Sequence, residues 1–160
     1  MLMNAVFMDA HKSKLLAHTT FEPKNEEGRK TVLDMLRKYR PAAIFVAALD
    51  PTVRRIAELI TEILNELRQD PTFTVPTVQL GEDDTARFYI NPGKNVSESL
   101  RELDVELSPT GRYCVGLCRR QLQPETEYAL LPKEDLLAIS WHPSQSMVCV
   151  RAFFYLLMCW

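Results

Sequence analysis

An uncharged apolar run, AAIFVAAL over residues 42–49, constrains the fold more than any other stretch of the chain. Because Pro41 and Asp50-Pro51 bound it on both sides, the run predicts a strand buried on both faces. A clear helical pattern follows directly, with Asp50 as its cap, Pro51 at its first position and an apolar stripe over residues 53–68. A buried strand followed by an amphipathic helix predicts an α/β protein with a parallel sheet.

Shorter patterns fill the rest of the chain. Residues 5–8 and 15–21 predict a β-hairpin, and a helix capped by Asn25 is expected to run to Tyr39. Beyond the 53–68 helix, the patterns predict a strand over 77–80, a strand or extended loop over 86–91, a helix over 95–103 capped by Asn95, a helical turn over 125–131 and a strand over 136–141. Residues 146–160 fit helix and strand equally well. No repeat or interior boundary is visible, so residues 1–160 are expected to form one domain.

Composition excludes several classes of protein. The net charge of −2 gives no global attraction to nucleic acid or to an anionic membrane. No apolar run reaches the roughly 18 residues of a membrane span, and no secretory signal is visible. The four cysteines do not form a disulfide framework in a chain of this length, which favours buried free thiols in the cytosol or nucleus.

Residues 108–124, SPTGRYCVGLCRRQLQP, predict one short and well-signalled helix. Ser108 is a suitable N-cap, Pro109 suits the first helical position, and Pro124 follows the helix. At about 100° per residue, a broad apolar face is expected to face the core. A narrow strip on the other face carries Gly116 and three basic side chains, Arg112, Arg119 and Arg120.

Two groups of carboxylates are candidates for metal chemistry. Asp50 stands where the buried strand is expected to end, which is where α/β sites usually form, although its role as a helix cap is a sufficient explanation. Residues 82–84, Glu-Asp-Asp, form an acidic turn that could hold a hard cation, yet they lack a regular ligand spacing. We therefore expect a solvated turn and predict no metal or cofactor.

The arginine strip is the remaining candidate site. Arg112, Arg119 and Arg120 could bind phosphates or an acidic peptide, with Gly116 allowing a backbone to approach. The alternative, which we favour, is that Arg119 and Arg120 complement the helix C-terminus while Arg112 remains solvated, and that Gly116 serves packing. No nucleophile elbow, P-loop or dinucleotide fingerprint is present, and no small-molecule substrate is expected.

The segment LSPTGRYCVGLCRRQLQPETEYALL, residues 107–131, resembles the helix motif of the ribonuclease-H-like domain in the Tex and suppressor-of-Ty-six family. The later segment LLAISWHPSQSMV resembles a turn of the eukaryotic branch through His142, Pro143 and Gln145. The resemblance implies an α/β fold with a mixed sheet flanked by helices, here without the family's first strand. It also implies a fragment of a larger multidomain protein.

The family resemblance implies a non-catalytic scaffold and interaction domain of a nuclear transcription elongation factor and histone chaperone. Transcription machinery with RNA polymerase II, chromatin and histones are the implied partners, with weak nucleic-acid contact possible and no membrane. Active ribonuclease-H-like nucleases hold two divalent ions about 4 Å apart with several carboxylates. In this chain the first of those carboxylates is missing with the first strand, so no catalytic residue is assigned.

Two other functions remain open at this level. One is a metal-dependent nuclease that uses Asp50 together with residues 82–84. The other is a nucleic-acid-binding module that uses the arginine strip.

Overall fold

The computed structural model describes residues 2–47, 53–103, 105–141 and 143–147. The described strands are β1 (Met3–Met8), β2 (Leu15–Phe21), β3 (Ala43–Ala47) and β4 (Thr77–Gly81). The α-helices are α1 (Glu26–Tyr39), α2 (Val53–Leu67), α3 (Lys94–Arg101), α4 (Pro109–Leu122), α5 (Pro124–Leu130) and α6 (Lys133–Ala138). Two short 3₁₀ helices cover Ala86–Tyr89 and Gln145–Met147. This mixed α/β architecture, with small sheets flanked by helices, confirms the predicted fold class.

The hairpin prediction is confirmed. Strands β1 and β2 pair antiparallel, with Val6 opposite His18 at the centre of the register. The turn between them is closed by Asp9, whose Oδ1 accepts hydrogen bonds from the backbone N–H groups of His11 at 2.8 Å and Lys12 at 3.0 Å. An Asp at this position therefore has a structural role, because its side chain closes the turn.

The parallel pair predicted around the apolar run is also present. Strands β3 and β4 pair parallel from Ala43 opposite Thr77 to Ala47 opposite Gly81, and α2 connects them. Within β3 only Val46 is buried, so the prediction of a strand buried on both faces is wrong for the described residues. The physical reason is that β3 pairs on one edge only in the described part of the chain, and its other edge borders an open groove.

Helices cover both faces of the strands. On one face, α1 and α2 contribute Leu36 and Leu67 to a core that also contains Phe7 of β1 and packs against Ile44 of β3. On the other face, α4 packs against β1 and β3, and its Leu117 lies in a cluster with Phe45. Neighbouring residues of β3 therefore point to opposite helical layers, as the alternation of a strand requires.

Local capping explains where the helices begin. The side chain of Asn25 accepts a hydrogen bond from the backbone N–H of Glu27 at 3.1 Å, as predicted for α1. The predicted cap of α3 is wrong, because Gly93 occupies the N-cap and the helix begins at Lys94. The Asn95 side chain instead donates from Nδ2 to the carbonyl of Leu130 at 3.2 Å, which ties α3 to α5.

The structure corrects two predictions, a strand or extended loop over residues 86–91 and a strand over residues 136–141. Residues 86–89 form a 3₁₀ helix, with the Tyr89 side chain almost fully buried. Residues 133–138 form α6, so the predicted strand over 136–141 is wrong. A short apolar run such as LLAISW does not distinguish strand from helix by periodicity, and the acidic first turn of α6 stabilises the helix.

Several predictions fall outside the described residues. They concern Asp50 and Pro51 as the start of α2, His142 in the family turn, Cys149 and Cys159 as thiols, and the structure of residues 148–160. Among the helices of the described part, none has both the length and the apolar character needed to cross a membrane.

Candidate functional site

Helix α4 is the element on which the candidate site is built. The Ser108 Oγ accepts a hydrogen bond from the backbone N–H of Gly111 at 3.1 Å, and Pro109 occupies the first turn, as predicted. Pro124 begins α5 directly after α4, so the two helices share the junction at Gln123. The helix contacts β1, β3, β4, α5 and the 3₁₀ helix, which places its side chains at the centre of the described structure.

Gly116 has a packing role. A Cβ built at Gly116 would lie 2.5 Å from Cδ2 and 2.7 Å from Cγ of Tyr89. Real Cβ atoms essentially never approach another heavy atom within 3.0 Å, so only glycine allows the ring to pack here. The gap in the basic strip is therefore filled by an aromatic ring from within the domain.

Arg112 braces the segment that precedes α4. Its Nε donates to the carbonyl of Tyr89 at 3.1 Å, and its NH2 donates to the carbonyl of Ile90 at 2.8 Å. Its NH1 donates to the carbonyl of Leu107 at 3.0 Å. Three backbone carbonyls that lie outside regular helix or strand ladders thus receive charge-assisted hydrogen bonds from one side chain.

Arg119 is buried despite its charge. Only 8% of the residue is exposed, and its NH1 donates to Ser99 Oγ at 2.6 Å. The charge of Arg119 also acts on Glu127, a carboxylate that is itself 3% exposed. A buried arginine close to a buried carboxylate is far less costly than either charge alone.

Glu127 accepts a hydrogen bond from the Tyr89 hydroxyl at 2.5 Å. Burial raises the pKa of the Glu127 carboxyl, while the hydrogen bond from Tyr89 and the charges of Arg119 and Arg120 oppose that rise without cancelling it. Burial and the neighbouring carboxylate also raise the pKa of Tyr89 well above its usual range. The ring that packs on Gly116 is therefore held at its hydroxyl end by α5.

Arg120 holds the acidic turn formed by residues 82–84. Its Nε donates to Asp84 Oδ1 at 2.8 Å, and its NH2 donates to Glu82 Oε2 at 2.6 Å. The same guanidinium lies over the Tyr128 ring, 4.8 Å from its centroid, and donates to the Tyr128 hydroxyl at 2.7 Å. The Tyr128 hydroxyl in turn donates to Asp84 Oδ2 at 2.5 Å, which closes a three-membered network.

This network determines the charge state of Asp84. Burial raises the pKa of Asp84, but hydrogen bonds from Arg120, Tyr128 and the Thr85 backbone outweigh it, so the net pKa lies below the usual range. Burial, together with the hydrogen bond to Asp84 and its charge, raises the pKa of Tyr128 to about 12. At neutral pH the turn therefore presents a carboxylate that is neutralised by Arg120.

The third carboxylate of the turn, Asp83, and the backbone carbonyl of Glu82 also accept hydrogen bonds from α4. Tyr113 donates from its hydroxyl to Asp83 Oδ2 at 3.1 Å, and Gln121 donates from Nε2 to the carbonyl of Glu82 at 3.1 Å. Each residue of the acidic turn thus has a partner on α4. This arrangement corrects the expectation of a solvated turn, although Glu82 itself remains largely exposed.

The thiols of α4 face the interior. Burial raises the pKa of Cys114 to about 11. Burial, together with the electrostatic effect of the neighbouring Cys114, raises the pKa of Cys118 to about 12. The Cys114 thiol donates to the carbonyl of Asn4 in β1 at 3.7 Å. Both cysteines are free, as predicted, and they are protonated at neutral pH, which makes them poor nucleophiles and poor metal ligands.

Sequence reasoning found the arginines but missed their partners. Sequence spacing alone does not point to Tyr89, Glu127 or Tyr128 as partners of the arginines. The complementary charge of residues 82–84 and Arg120 is the sequence signal that links the acidic turn to the strip. No group of three or more His, Cys, Asp or Glu side chains suited to a metal ion occurs in the described ranges. The phosphate- or peptide-binding role of Arg112, Arg119 and Arg120 stays a prediction.

In the family turn, Pro143 is exposed and the Gln145 side chain accepts a hydrogen bond from the Trp141 backbone at 2.9 Å. The described structure is a mixed α/β domain in which the arginine helix α4 holds the acidic turn of residues 82–84. The family described as "YqgF: Holliday-junction resolvase-like of SPT6" matches residues 5–132, and the chain belongs to that family. The resemblance noted from residues 107–131 is thereby confirmed.

Similar curated proteins are transcription elongation factors. Spt6 of Emericella nidulans is 27% identical over 129 residues, covering 74% of this chain and 9% of that protein. SPT6 of Saccharomyces cerevisiae is 26% identical over 131 residues, covering 80% of this chain and 9% of that protein. SPT6 of Drosophila melanogaster is 26% identical over 117 residues, covering 72% and 6% respectively. The chain spans less than a tenth of the length of these relatives.

Proposed function

We propose that this chain is a non-catalytic scaffold and interaction domain of a transcription elongation factor that acts with RNA polymerase II. The family match and the names of the relatives support the transcription role. The observation that carries the non-catalytic part is the pairing of the acidic turn with Arg120. Asp84 is paired with the Arg120 guanidinium and accepts a hydrogen bond from Tyr128, while Asp83 accepts one from Tyr113. Carboxylates held in this way fix the turn on α4 and are poorly suited to bind a divalent ion.

The scaffold role fits the way α4 uses its polar side chains. Arg112 bonds three backbone carbonyls, Arg119 bonds Ser99, and Arg120 bonds the acidic turn. Their donors are directed at groups inside the domain, which supports a bracing role more than recognition of nucleic acid. The proposal includes a nuclear location, histones and the transcription machinery as partners, and histone-chaperone activity of the parent protein.

Replacement in yeast tests the proposal. The matching segment of Saccharomyces cerevisiae SPT6 is exchanged for this chain in a strain whose own copy can be switched off. We expect growth and elongation through a long reporter gene to be retained. Arg120→Glu is expected to abolish both by undocking the acidic turn, whereas Arg37→Glu, at a solvent-exposed pair with Asp34, is the matched control. An abundant, soluble chimera that fails to support growth would contradict the proposal.

The enzymatic alternative is tested separately. The purified chain is incubated with Mg²⁺ or Mn²⁺ and with branched DNA or an RNA–DNA hybrid. We expect no turnover. Cleavage that is abolished by Asp50→Asn would establish a metal-dependent nuclease and refute the non-catalytic proposal.

Binding to nucleic acid is tested by its dependence on salt. The affinity for nucleic acid is measured as a function of salt concentration, for the natural chain and for a folded Arg119→Glu variant. A steep loss of affinity with salt, and a shallower slope in the variant, would show that the arginine strip contacts phosphates. We expect no binding near physiological salt.

A further inference from the structure

An open pocket of about 350 Å³ lies between α3 and the beginning of α4. Its apolar lining comes from both sides of α3 and from the connection to α4, namely from Pro92, Leu100, Val105 and Leu107. Val105 is 43% exposed, so an apolar side chain of this lining faces solvent. The volume is at the small end of the range for ligand pockets, which suits one large side chain of a partner.

Two arginines and one glutamate line the same pocket. Arg101 is exposed at the end of α3, Arg112 is half-buried in α4, and Glu106 is exposed in the connection between the helices. The described lining therefore has one more positive charge than negative charges. The positive end of the α4 dipole lies beside it, because Leu107 of the lining directly precedes Ser108, the N-cap of α4. The electrostatic environment of the pocket therefore favours an anion.

Arg112 is the arginine of the strip that lines this pocket and still has donors to offer. Three of its five N–H donors bond backbone carbonyls of the domain, and the other two have no partner among the residues that the structure describes. Arg119, by contrast, is 8% exposed, and Arg120 is bonded to the acidic turn. The three internal bonds of Arg112 also fix its guanidinium in place, so little side-chain entropy is lost when a ligand binds.

We infer that this pocket binds a short peptide segment of a partner protein in which a large apolar side chain stands next to a carboxylate. The apolar side chain packs on Leu100, Val105 and Leu107, and the carboxylate accepts hydrogen bonds from the two remaining donors of Arg112. Glu106 repels a second negative charge, so the site suits one carboxylate better than a phosphate dianion. This inference does not depend on the proposed role in transcription.

NMR titration of the 160-residue chain tests the inference. The probe is the peptide acetyl-Gly-Ser-Phe-Glu-Ser-Gly-amide, and the matched controls replace its phenylalanine by serine or its glutamate by glutamine. We expect the probe to shift the amide signals of residues 97–101 and 105–107 saturably, and each control to bind at least about fivefold more weakly. No saturable shift at millimolar probe, equal affinity of either control, or shifts confined to other parts of the chain would overturn the inference.

Variants of the lining locate the site. Because Arg112 also braces the domain, the test changes exposed residues of the lining instead. Arg101→Glu and Val105→Ser are each expected to weaken probe binding at least about threefold, whereas Arg37→Glu, in α1 and outside the pocket, leaves it unchanged. Glu106→Gln removes the opposing charge and is expected to tighten binding about two- to fivefold.

The same titrations give the results that would contradict the site. Unchanged affinity in both Arg101→Glu and Val105→Ser, in chains that circular dichroism shows to be folded, would overturn the inference. If a variant does not fold, the comparison of the three peptides on the natural chain still decides. Tighter binding of a phosphoserine peptide, with phosphoserine in place of the probe's glutamate, or of a single-stranded oligonucleotide at the same signals would also overturn it.

Discussion

The ring of Tyr89 occupies the space in which Gly116 lacks a side chain, with Cδ2 only 2.5 Å from where a Cβ would stand. The Tyr89 hydroxyl donates a hydrogen bond to the Glu127 carboxylate at 2.5 Å, and the Tyr89 backbone carbonyl accepts one from Arg112 Nε at 3.1 Å. One residue of the 3₁₀ helix therefore joins α4 to α5, and the glycine of the basic strip is part of the core.

Gly116→Ala is expected to destabilise the domain by up to about 2 kcal/mol. Alanine would gain about 1 kcal/mol of helix propensity, but forcing a methyl against a nearly fully buried ring costs about 1–3 kcal/mol. Urea denaturation measures the change. Gly93→Ala is the clash-free control, because no atom lies within 4 Å of its added Cβ, and we expect it to lose about 0.5–1 kcal/mol because alanine is a poorer N-cap than glycine. A stabilised Gly116→Ala protein would show that the ring does not hold this position.

Arg120→Ala is expected to lower the free energy of unfolding by about 2–3 kcal/mol. The change leaves Asp84, whose side chain is 23% exposed, without its charged partner, and it removes the stacking on Tyr128. Arg37→Ala is the control, since its pair with Asp34 is solvent-exposed and worth about 0.5 kcal/mol or less. The free energies of unfolding are measured by urea denaturation. Equal losses in the two variants would show that Arg120 contributes no more to stability than a solvent-exposed arginine.

Glu127→Gln tests the buried carboxyl through pH. Because burial raises the pKa of Glu127 in the folded state, the folded protein binds its proton more tightly than the unfolded chain does. The stability that Glu127 contributes is therefore fully present below its unfolded pKa and declines as the pH rises through the folded value. Relative to the variant, the natural protein is expected to lose stability from pH 4.5 upward.

The pH series is followed by chemical denaturation between about pH 4.5 and 7.5. The glutamine can still accept the hydrogen bond from Tyr89, so the two proteins differ mainly in the charge. Glu125→Gln is the control, at an exposed position in the same helix. A difference between the natural protein and Glu127→Gln that grows in favour of the natural protein with rising pH would contradict the raised pKa.

The sequence predicted the features that depend on near neighbours. The caps at Asn25 and Ser108 are set within a few residues, and the structure confirms them. Arg120 and Asp84 are 36 residues apart in sequence, and their contact depends on the acidic turn, which follows β4, lying next to α4 in the fold. Local pattern contains no information about such a contact.

The same limit explains the failed strand predictions. The segment ARFYIN has the composition of a strand, but Tyr89 is buried against Gly116 and the backbone there is bonded by Arg112. Tertiary packing outweighs the modest β preference of the aromatic residues. For β3, the predicted strand is present but its predicted burial on both faces is wrong, because the sequence of the strand does not reveal the groove beside it.

A double-mutant cycle on Arg120 and Asp84 tests the central claim most directly, namely that α4 holds the acidic turn as structure. The free energies of unfolding of the natural chain, Arg120→Met, Asp84→Asn and the double variant are measured at pH 7. We predict a coupling energy of about 1–3 kcal/mol, because each single change leaves a partner uncompensated. Additive losses, with coupling below about 0.5 kcal/mol, would contradict the account.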